Sequence, residues 1–182
     1  MKVNHRLSQY SMIGLYLGAI VAANIAVATW GPSVSIVNAF LFIGFNLVAR
    51  DYLHDAWGEH IKRNMAILIL AGSGLSLIGG AGRIAIASAL AFGISESVDA
   101  IAYQAMIKWP KLARQNGSNV PSALVDSFTF PVLAFGFPVL WPIVLGQFAA
   151  KVSGGFVWSL LIFKLFPLRE VHAASTPSPE DG

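Results

Sequence analysis

The sequence contains no cysteine and few charged residues. The lack of cysteine excludes disulfides, thiolate metal sites and a cysteine nucleophile. Only 12% of the 182 residues are Asp, Glu, Lys or Arg, whereas a soluble globular domain has roughly 25%. Hydrophobic residues make up 55% of the chain, and its mean hydropathy is +0.65. These proportions exclude an ordinary soluble domain.

Charge is absent from long stretches of the chain. Residues 7–49 and 127–150 contain no Lys, Arg, His, Asp or Glu. Apolar runs of about 18 or more residues predict transmembrane helices. Six such helices of about 20 residues occupy roughly 120 positions and leave no length for a second, soluble domain. We therefore expect one integral membrane domain over 1–170, anchored at its N-terminal end without a removable signal peptide, and a disordered cytoplasmic tail over 171–182.

Glycine, proline and returning charge predict where the spans end. The predicted class is all-α, with six transmembrane helices over 10–30, 33–49, 64–82, 83–109, 120–137 and 139–166. The polar segment 50–63 is predicted to lie along the membrane surface as an interfacial helix. The segment 111–119 is predicted to be a polar connection with a turn at Asn116-Gly117. In the sixth span, Pro142 and Gly154-Gly155 are expected to introduce bends.

The distribution of basic residues predicts the orientation, because cytoplasmic loops are enriched in Lys and Arg. With the N-terminus inside, ten of the twelve basic residues fall at the inner side: Lys2, Arg6, Arg50, Lys62, Arg63, Lys108, Lys111, Arg114, Lys164 and Arg169. Both termini are therefore predicted to be cytoplasmic. The basic residues are scattered along membrane borders and form no patch, so nucleic acid is not expected as a partner.

Four charged residues lie near the centres of the predicted spans, away from their ends: Glu96, Asp99, Asp126 and Lys151. A rise of about 1.5 Å per residue places them at one level near the membrane midplane, on three different helices. Charged side chains are costly there, so they usually face a partner or a wet cavity. A polar site near the midplane, built from several helices, is typical of a carrier. The alternative is a buried ion pair of Lys151 with Asp126 or Glu96 that only orients helices.

Three carboxylates against one lysine leave an excess of negative charge. Three explanations stay open: Arg83 reaches into the layer, one carboxylate retains a proton, or a bound solute supplies the missing donors. Asn24, Asn38 and Gln147 lie a few residues toward the outside of their span centres. The predicted binding residues for a planar, hydrogen-bonding solute, with Phe92 or Phe130 stacking on its ring, are Asn24, Asn38, Arg83, Phe92, Glu96, Asp99, Asp126, Phe130, Gln147 and Lys151.

Within that set, Asp99 and Asp126 are expected to take the donor edge of the solute. Gln147 and Asn38 are expected to read its remaining polar atoms, while Lys151 balances charge. The pair His54 and His60 does not have the spacing of a zinc helix. No catalytic residue, metal or cofactor is therefore predicted.

Several segments together resemble a known family. They are the run from Arg50-Asp51 to Gly58, the run 83–92 followed by Glu96 and Asp99, Asn119-Val-Pro-Ser122 followed by Asp126-Ser127, and Gln147 with Lys151. Their order is similar to that of the queuosine precursor transporters, also called the putative vitamin uptake transporter (VUT) family. The outer turns of this chain are very short, and Gln147 stands where some members have an acidic residue.

The resemblance implies a secondary-type transporter, not an enzyme, that imports a 7-deazaguanine such as 7-cyano-7-deazaguanine across the inner (plasma) membrane. It also implies a six-helix fold similar to the substrate-binding subunits of energy-coupling-factor transporters. The expected partners are a purine-like small molecule, the lipid bilayer and either a second copy or a coupling subunit. The small residues of 19–26 let another helix approach closely, and that neighbour is either one of this protein's own helices, which is the favoured case, or a partner subunit. The alternatives are a vitamin-binding subunit that requires a separate ATPase module, a membrane-embedded enzyme, and a structural or pore-forming protein.

Overall fold

All regular structure in the described residues is helical. The computed structural model describes residues 5–57 and 60–165, without side-chain detail at 5–8, 54–56, 61–62, 111–112, 115 and 163–165. The predicted tail over 171–182 therefore lies outside the described residues. The helices are α1 (His5–Trp30), α2, α3 (Ile61–Ile78), α4 (Gly82–Ala105), α5 (Lys111–Phe135) and α6 (Trp141–Leu165). Helix α2 consists of the consecutive segments Val34–Asn38, Ala39–Ile43 and Gly44–Trp57, of which the middle one is π-helical.

Two helices end where the sequence places a glycine in the left-handed region. Gly31 has φ +78° after α1, and its N–H donates to the Val27 carbonyl at 2.8 Å. Gly136 has φ +82° after α5 and donates in the same way to the Val132 carbonyl. Glycine adopts this conformation without steric cost, so both positions terminate their helices. The predicted ends of the first and fifth spans agree with these positions to within a residue.

Two predicted boundaries are wrong. Helix α2 continues past Ala49 to Trp57, so the first half of the predicted interfacial segment belongs to a long helix instead. This extension is possible because Arg50 and Asp51 find partners inside the bundle. Helix α5 begins directly after Pro110, so Asn116-Gly117 lies within a helix and forms no turn.

The helices form a closed ring in which consecutive members pack together in the order α1, α2, α6, α5, α4 and α3. The two most extensive contacts are those of α2 with α6 and of α4 with α5, and α1 also packs against α4. Helices α2 and α6 approach closely where glycine leaves no side chain between them. A Cβ added at Gly44 would lie only 2.7 Å from the Gly154 carbonyl carbon. Helix α6 runs through Gly154-Gly155 without interruption.

The small-residue face of α1 is used inside the bundle. Ala19, Ala23 and Ala26 are all buried, and Ala22 is half-buried. Small residues at this spacing let neighbouring helices approach. This face is therefore covered by the protein's own helices and is not free to dock a coupling subunit.

The bundle exposes large apolar side chains and buries several polar and charged ones within a mainly apolar core, as expected for a protein surrounded by lipid. In the described residues, four segments are long and apolar enough to cross a membrane: Gln9–Trp30, Val34–Leu53, Gly82–Ala105 and Trp141–Ile162. The apolar part of α3, Arg63–Ile78, is shorter. Large apolar side chains such as Leu70, Ile78 and Ile101 are exposed, whereas Arg50 and Lys151 are buried. This distribution identifies an integral membrane protein.

Candidate functional site

Two groups of polar side chains are buried between the helices. The first, called here the Arg50 cluster, contains Arg50, Asp51, Glu96, Asp99 and Asn119. The second, called the Lys151 cluster, contains Ser35, Asp126, Ser127, Gln147 and Lys151. Together they bring four of the six helices, α2, α4, α5 and α6, into contact through polar groups.

The Arg50 guanidinium group reaches from α2 to α4 and α5. Its Nη1 donates to Glu96 Oε1 at 2.5 Å, and its Nη2 lies 3.4 Å from Asp99 Oδ2. The same Nη2 lies 3.3 Å from Asp51 Oδ1 and donates to Asn119 Oδ1. Only 6% of the Arg50 side chain is exposed. The planar guanidinium group has five N–H donors in a fixed fork, so it can serve several acceptors at once. A lysine ammonium has three donors around one nitrogen and could not reach the same set of acceptors.

The Arg50 cluster carries an excess of negative charge. Arg50 contributes one positive charge, while Asp51, Glu96 and Asp99 contribute three negative charges, a formal sum of −2. The Asn119 amide Nδ2 also donates to Asp51 Oδ2, at 3.4 Å. An uncompensated buried charge is costly. The cluster is therefore suited to receive a group that brings positive charge or hydrogen-bond donors.

The Lys151 cluster is formally neutral. Lys151 is 1% exposed, and its Nζ donates to Asp126 Oδ2 at 2.6 Å, to Ser127 Oγ at 3.1 Å and to Gln147 Oε1 at 3.3 Å. Gln147 Nε2 in turn donates to Ser35 Oγ at 2.9 Å. All three ammonium protons thus have acceptors on α5 and α6, and the chain of bonds extends to α2.

A cavity of about 150 Å³ lies between α2, α5 and α6, and both clusters border it. Asp51 and Asn119 of the Arg50 cluster and Lys151 of the other cluster are among its lining residues. The remaining lining residues are mostly apolar: Leu47, Val48, Asn116, Val120, Val152, Gly155, Phe156 and Ser159. A mainly apolar wall with a few convergent polar groups is typical of a small-molecule site.

The structure divides the predicted midplane layer into these two clusters. Glu96 and Asp99 both contact Arg50. Asp126 and Gln147 both contact Lys151. The five residues therefore lie in two groups next to the cavity. Of the five, Lys151 is the one that lines it.

The two asparagines of the predicted set bond elsewhere. Asn24 Nδ2 donates to Ser76 Oγ at 3.1 Å, which joins α1 to α3. Asn38 Nδ2 donates to the Ala23 carbonyl at 3.0 Å, which joins α2 to α1. Both side chains are buried, and neither lines the cavity. Their contacts hold helices together.

Arg83 lies apart from both clusters. It is exposed, and its Nε donates to the Leu133 carbonyl at 3.0 Å near the C-terminal end of α5. Phe92 packs in the apolar core beside Tyr16, and Phe130 makes an edge contact with Phe135 at a centroid distance of 6.0 Å. Neither of these rings lines the cavity, whose aromatic lining residue is Phe156.

Sequence reasoning missed Arg50, Asp51 and Asn119 as site residues. The sequence did contain a signal for a second buried cation, because three carboxylates in the predicted layer faced only one lysine. Of the explanations that it left open, Arg83 does not reach in, and Arg50 occupies that role. Arg50 and Asp51 directly follow an apolar run, so the pattern placed them at the surface.

The fold and site define a helical membrane protein with a mainly apolar cavity bordered by two clusters of polar side chains. A family model described as "Putative vitamin uptake transporter" matches residues 12–165, a stretch that includes both clusters and the whole cavity. The chain belongs to this family. No curated protein and no solved structure matches the chain.

Proposed function

We propose that this protein imports a 7-deazapurine queuosine precursor, 7-cyano-7-deazaguanine or a related base, as a secondary-type transporter of the inner (plasma) membrane. The observation that carries the proposal is the cavity bordered by Asp51, Asn119 and Lys151. It combines a carboxylate, an amide and an ammonium group with an aromatic ring. Family membership supports the transport of a small molecule.

The chemistry of the cavity suits the edge of a guanine-like base. A carboxylate such as that of Asp51 accepts N–H donors from an amidine-like edge, and two parallel bonds of this kind are both strong and directional. The Asn119 amide can serve a remaining polar atom of the base, while Lys151 places a positive charge in the wall of the cavity. Phe156 offers a ring face for stacking.

The size of the cavity favours a free base over a nucleoside. An apolar cavity of about 150 Å³ in another protein holds a single benzene ring. A guanine-like base is already larger than benzene, and a ribose would enlarge the ligand much further. Glu96, Asp99, Asp126 and Gln147 remain part of the proposed site because they hold Arg50 and Lys151 in position.

The proposed topology has six transmembrane helices with both termini cytoplasmic. Besides the four long apolar segments, α3 and α5 would also cross the membrane. At 18 and 25 residues they extend about 27 Å and 37 Å, and the hydrocarbon core is about 30 Å thick. Asp126 of α5 is paired with Lys151, so that helix would expose little charge to lipid. We expect the resulting fold to be similar to the substrate-binding subunits of energy-coupling-factor transporters.

Blocking the cavity tests the proposal. A Cβ at Gly155 would make only an ordinary contact, 3.7 Å from Leu47 Cδ1, so the backbone tolerates a side chain there. We expect Gly155→Leu to fill the cavity and abolish uptake of 7-cyano-7-deazaguanine by a strain that cannot synthesise it. The matched control is Gly93→Leu, because Gly93 is exposed and has open space around its α-carbon.

The readout is queuosine in transfer RNA, measured at equal amounts of membrane-inserted protein. Unlabelled 7-cyano-7-deazaguanine should compete for uptake, whereas a nucleoside and unrelated vitamins should not. Normal uptake by Gly155→Leu would contradict the cavity as the binding site. Competition by a vitamin alone would contradict the proposed substrate.

A further inference from the structure

Polar groups beside the Arg50 cluster have no hydrogen-bond partner in the described part of the chain. They are the Tyr16 hydroxyl, both atoms of the Asn46 side-chain amide, and Asp99 Oδ1. Tyr16 is 0% exposed and Asn46 is 1% exposed. Buried polar groups are almost always paired, and leaving one unpaired costs roughly 1–3 kcal/mol. Several such groups around one cluster indicate that a ligand completes it.

These groups lie around the same point of the bundle. Asn46 precedes Arg50 by four residues on α2, so the two buried side chains share one helix face. Tyr16 of α1 packs in one buried cluster with Ala49, which directly precedes Arg50. Phe92 of α4, four residues before Glu96, packs against that cluster. Asp99 turns its other oxygen, Oδ2, toward Arg50 at 3.4 Å. Helices α1, α2 and α4 therefore each place an unpaired polar atom on a residue beside or within the Arg50 cluster.

We propose that these atoms form a Na⁺ site, with ligands from the Asn46 side-chain oxygen, the Tyr16 hydroxyl oxygen and the carboxylates of Glu96 and Asp99. Carboxylate, carbonyl and hydroxyl oxygens are the donors that hard cations prefer. The formal charge of −2 in the Arg50 cluster favours a bound cation. If the protein is the importer proposed above, this ion is the one whose gradient drives uptake.

Na⁺ fits this set of ligands better than a proton or a divalent ion does. A proton on one carboxylate would donate to a single acceptor and leave the other oxygens unpaired. Ca²⁺ normally takes six to eight oxygen ligands, and this cluster offers about four beside a guanidinium group. A monovalent cation satisfies oxygens from three helices at once.

The test is the thermal stability of the full-length protein in lipid nanodiscs, without any cargo. At constant ionic strength, replacing choline chloride by NaCl should raise the Tm with a saturable dependence on Na⁺. Tyr16→Phe and Asn46→Leu should each raise the Na⁺ concentration for the half-maximal effect at least tenfold. Tyr16→Phe removes only one oxygen, so it keeps the apolar packing of Tyr16 even if Asn46→Leu fails to fold.

Ser97→Ala is the control, because Ser97 is exposed next to Glu96 and bonds only to its own helix, at the Gly93 carbonyl. It should respond to Na⁺ as the native protein does. Equal effects of Na⁺ and choline, or a native response by Tyr16→Phe, would overturn the site. Uptake that is equal in Na⁺ and choline would overturn the ion and leave the importer standing. Stabilisation by Na⁺ without uptake of any base would support the ion site and overturn the importer.

Discussion

At the scale of single residues, the two buried cations do different work. Lys151 forms a neutral pair with Asp126, and its remaining protons have neutral acceptors. Arg50 is surrounded by more negative charge than it can balance. The Lys151 cluster is therefore complete within the chain, whereas the Arg50 cluster is not.

Removing Lys151 should be far more harmful to stability than removing its whole ion pair. Lys151→Met leaves Asp126 buried without its counter-charge, and breaking a buried pair in this way costs about 3–5 kcal/mol. The double variant Lys151→Met with Asp126→Leu should recover most of that loss, since apolar replacement of both partners is often neutral. Equilibrium unfolding in detergent measures both effects.

The same pair of variants separates stability from function. Uptake should stay lost in the double variant, because the cavity then lacks its ammonium group. A double variant that is no more stable than Lys151→Met would show that Lys151 contributes by packing alone. A double variant with native uptake would remove Lys151 from the proposed binding site.

At the scale of helices, packing between α2 and α6 depends on glycine. A Cβ at Gly154 would meet the backbone of Phe40, including its carbonyl oxygen. Backbone atoms cannot move aside as a flexible side chain can, so the helices themselves would have to separate. The cavity between these helices depends on the same spacing.

We expect Gly154→Ala to lower the Tm strongly and to reduce uptake, because α2 and α6 are forced apart. The matched control is Gly93→Ala, which adds the same methyl group to α4 where nothing lies within 4 Å. That change should be neutral or stabilising by up to about 1 kcal/mol, since alanine favours a helix over glycine. Equal Tm values for the two variants would contradict the close approach of α2 and α6.

Hydropathy and glycine placement predicted which segments are helical, but they could not predict how far α2 extends. An apolar pattern stops at the first charge, which placed the end of the span at Ala49. The charge of Arg50 is satisfied by Glu96, which lies 46 residues away in the chain. Such a pairing is tertiary information, and a local pattern does not contain it.

At the scale of the whole molecule, the predicted polar layer was only partly informative. Counting depth along each helix gathered Glu96, Asp99, Asp126 and Lys151 at one level, and each of them does contact a buried partner. The count could not separate them into two clusters, because it contains no information on which helices are neighbours. It also omitted Arg50 and Asp51 of α2, of which Asp51 lines the cavity.

The orientation of the bundle is open to a direct test. Reporters fused after Gly31, Gly80 and Pro138 should be active only when exported, because these turns carry none of the inner-side charges. Fusions after Trp109 or at the C-terminus should instead give activity only with a reporter that works in the cytoplasm. A paired fluorescent protein and alkaline phosphatase at each position gives the measurement. The opposite pattern at any one position would contradict the six-span topology.

The π-helical segment Ala39–Ile43 sets the rotational phase of everything that follows it in α2. Such a bulge is equivalent to one inserted residue in an α-helix, which turns the downstream part by about 100°. Asn46 and Arg50 face the centre of the ring only with that twist in place. Removing one amino acid from this stretch would let it wind as a regular α-helix and would still present the guanidinium to the ring, whereas winding the full-length sequence as a regular α-helix would turn it toward the acyl chains.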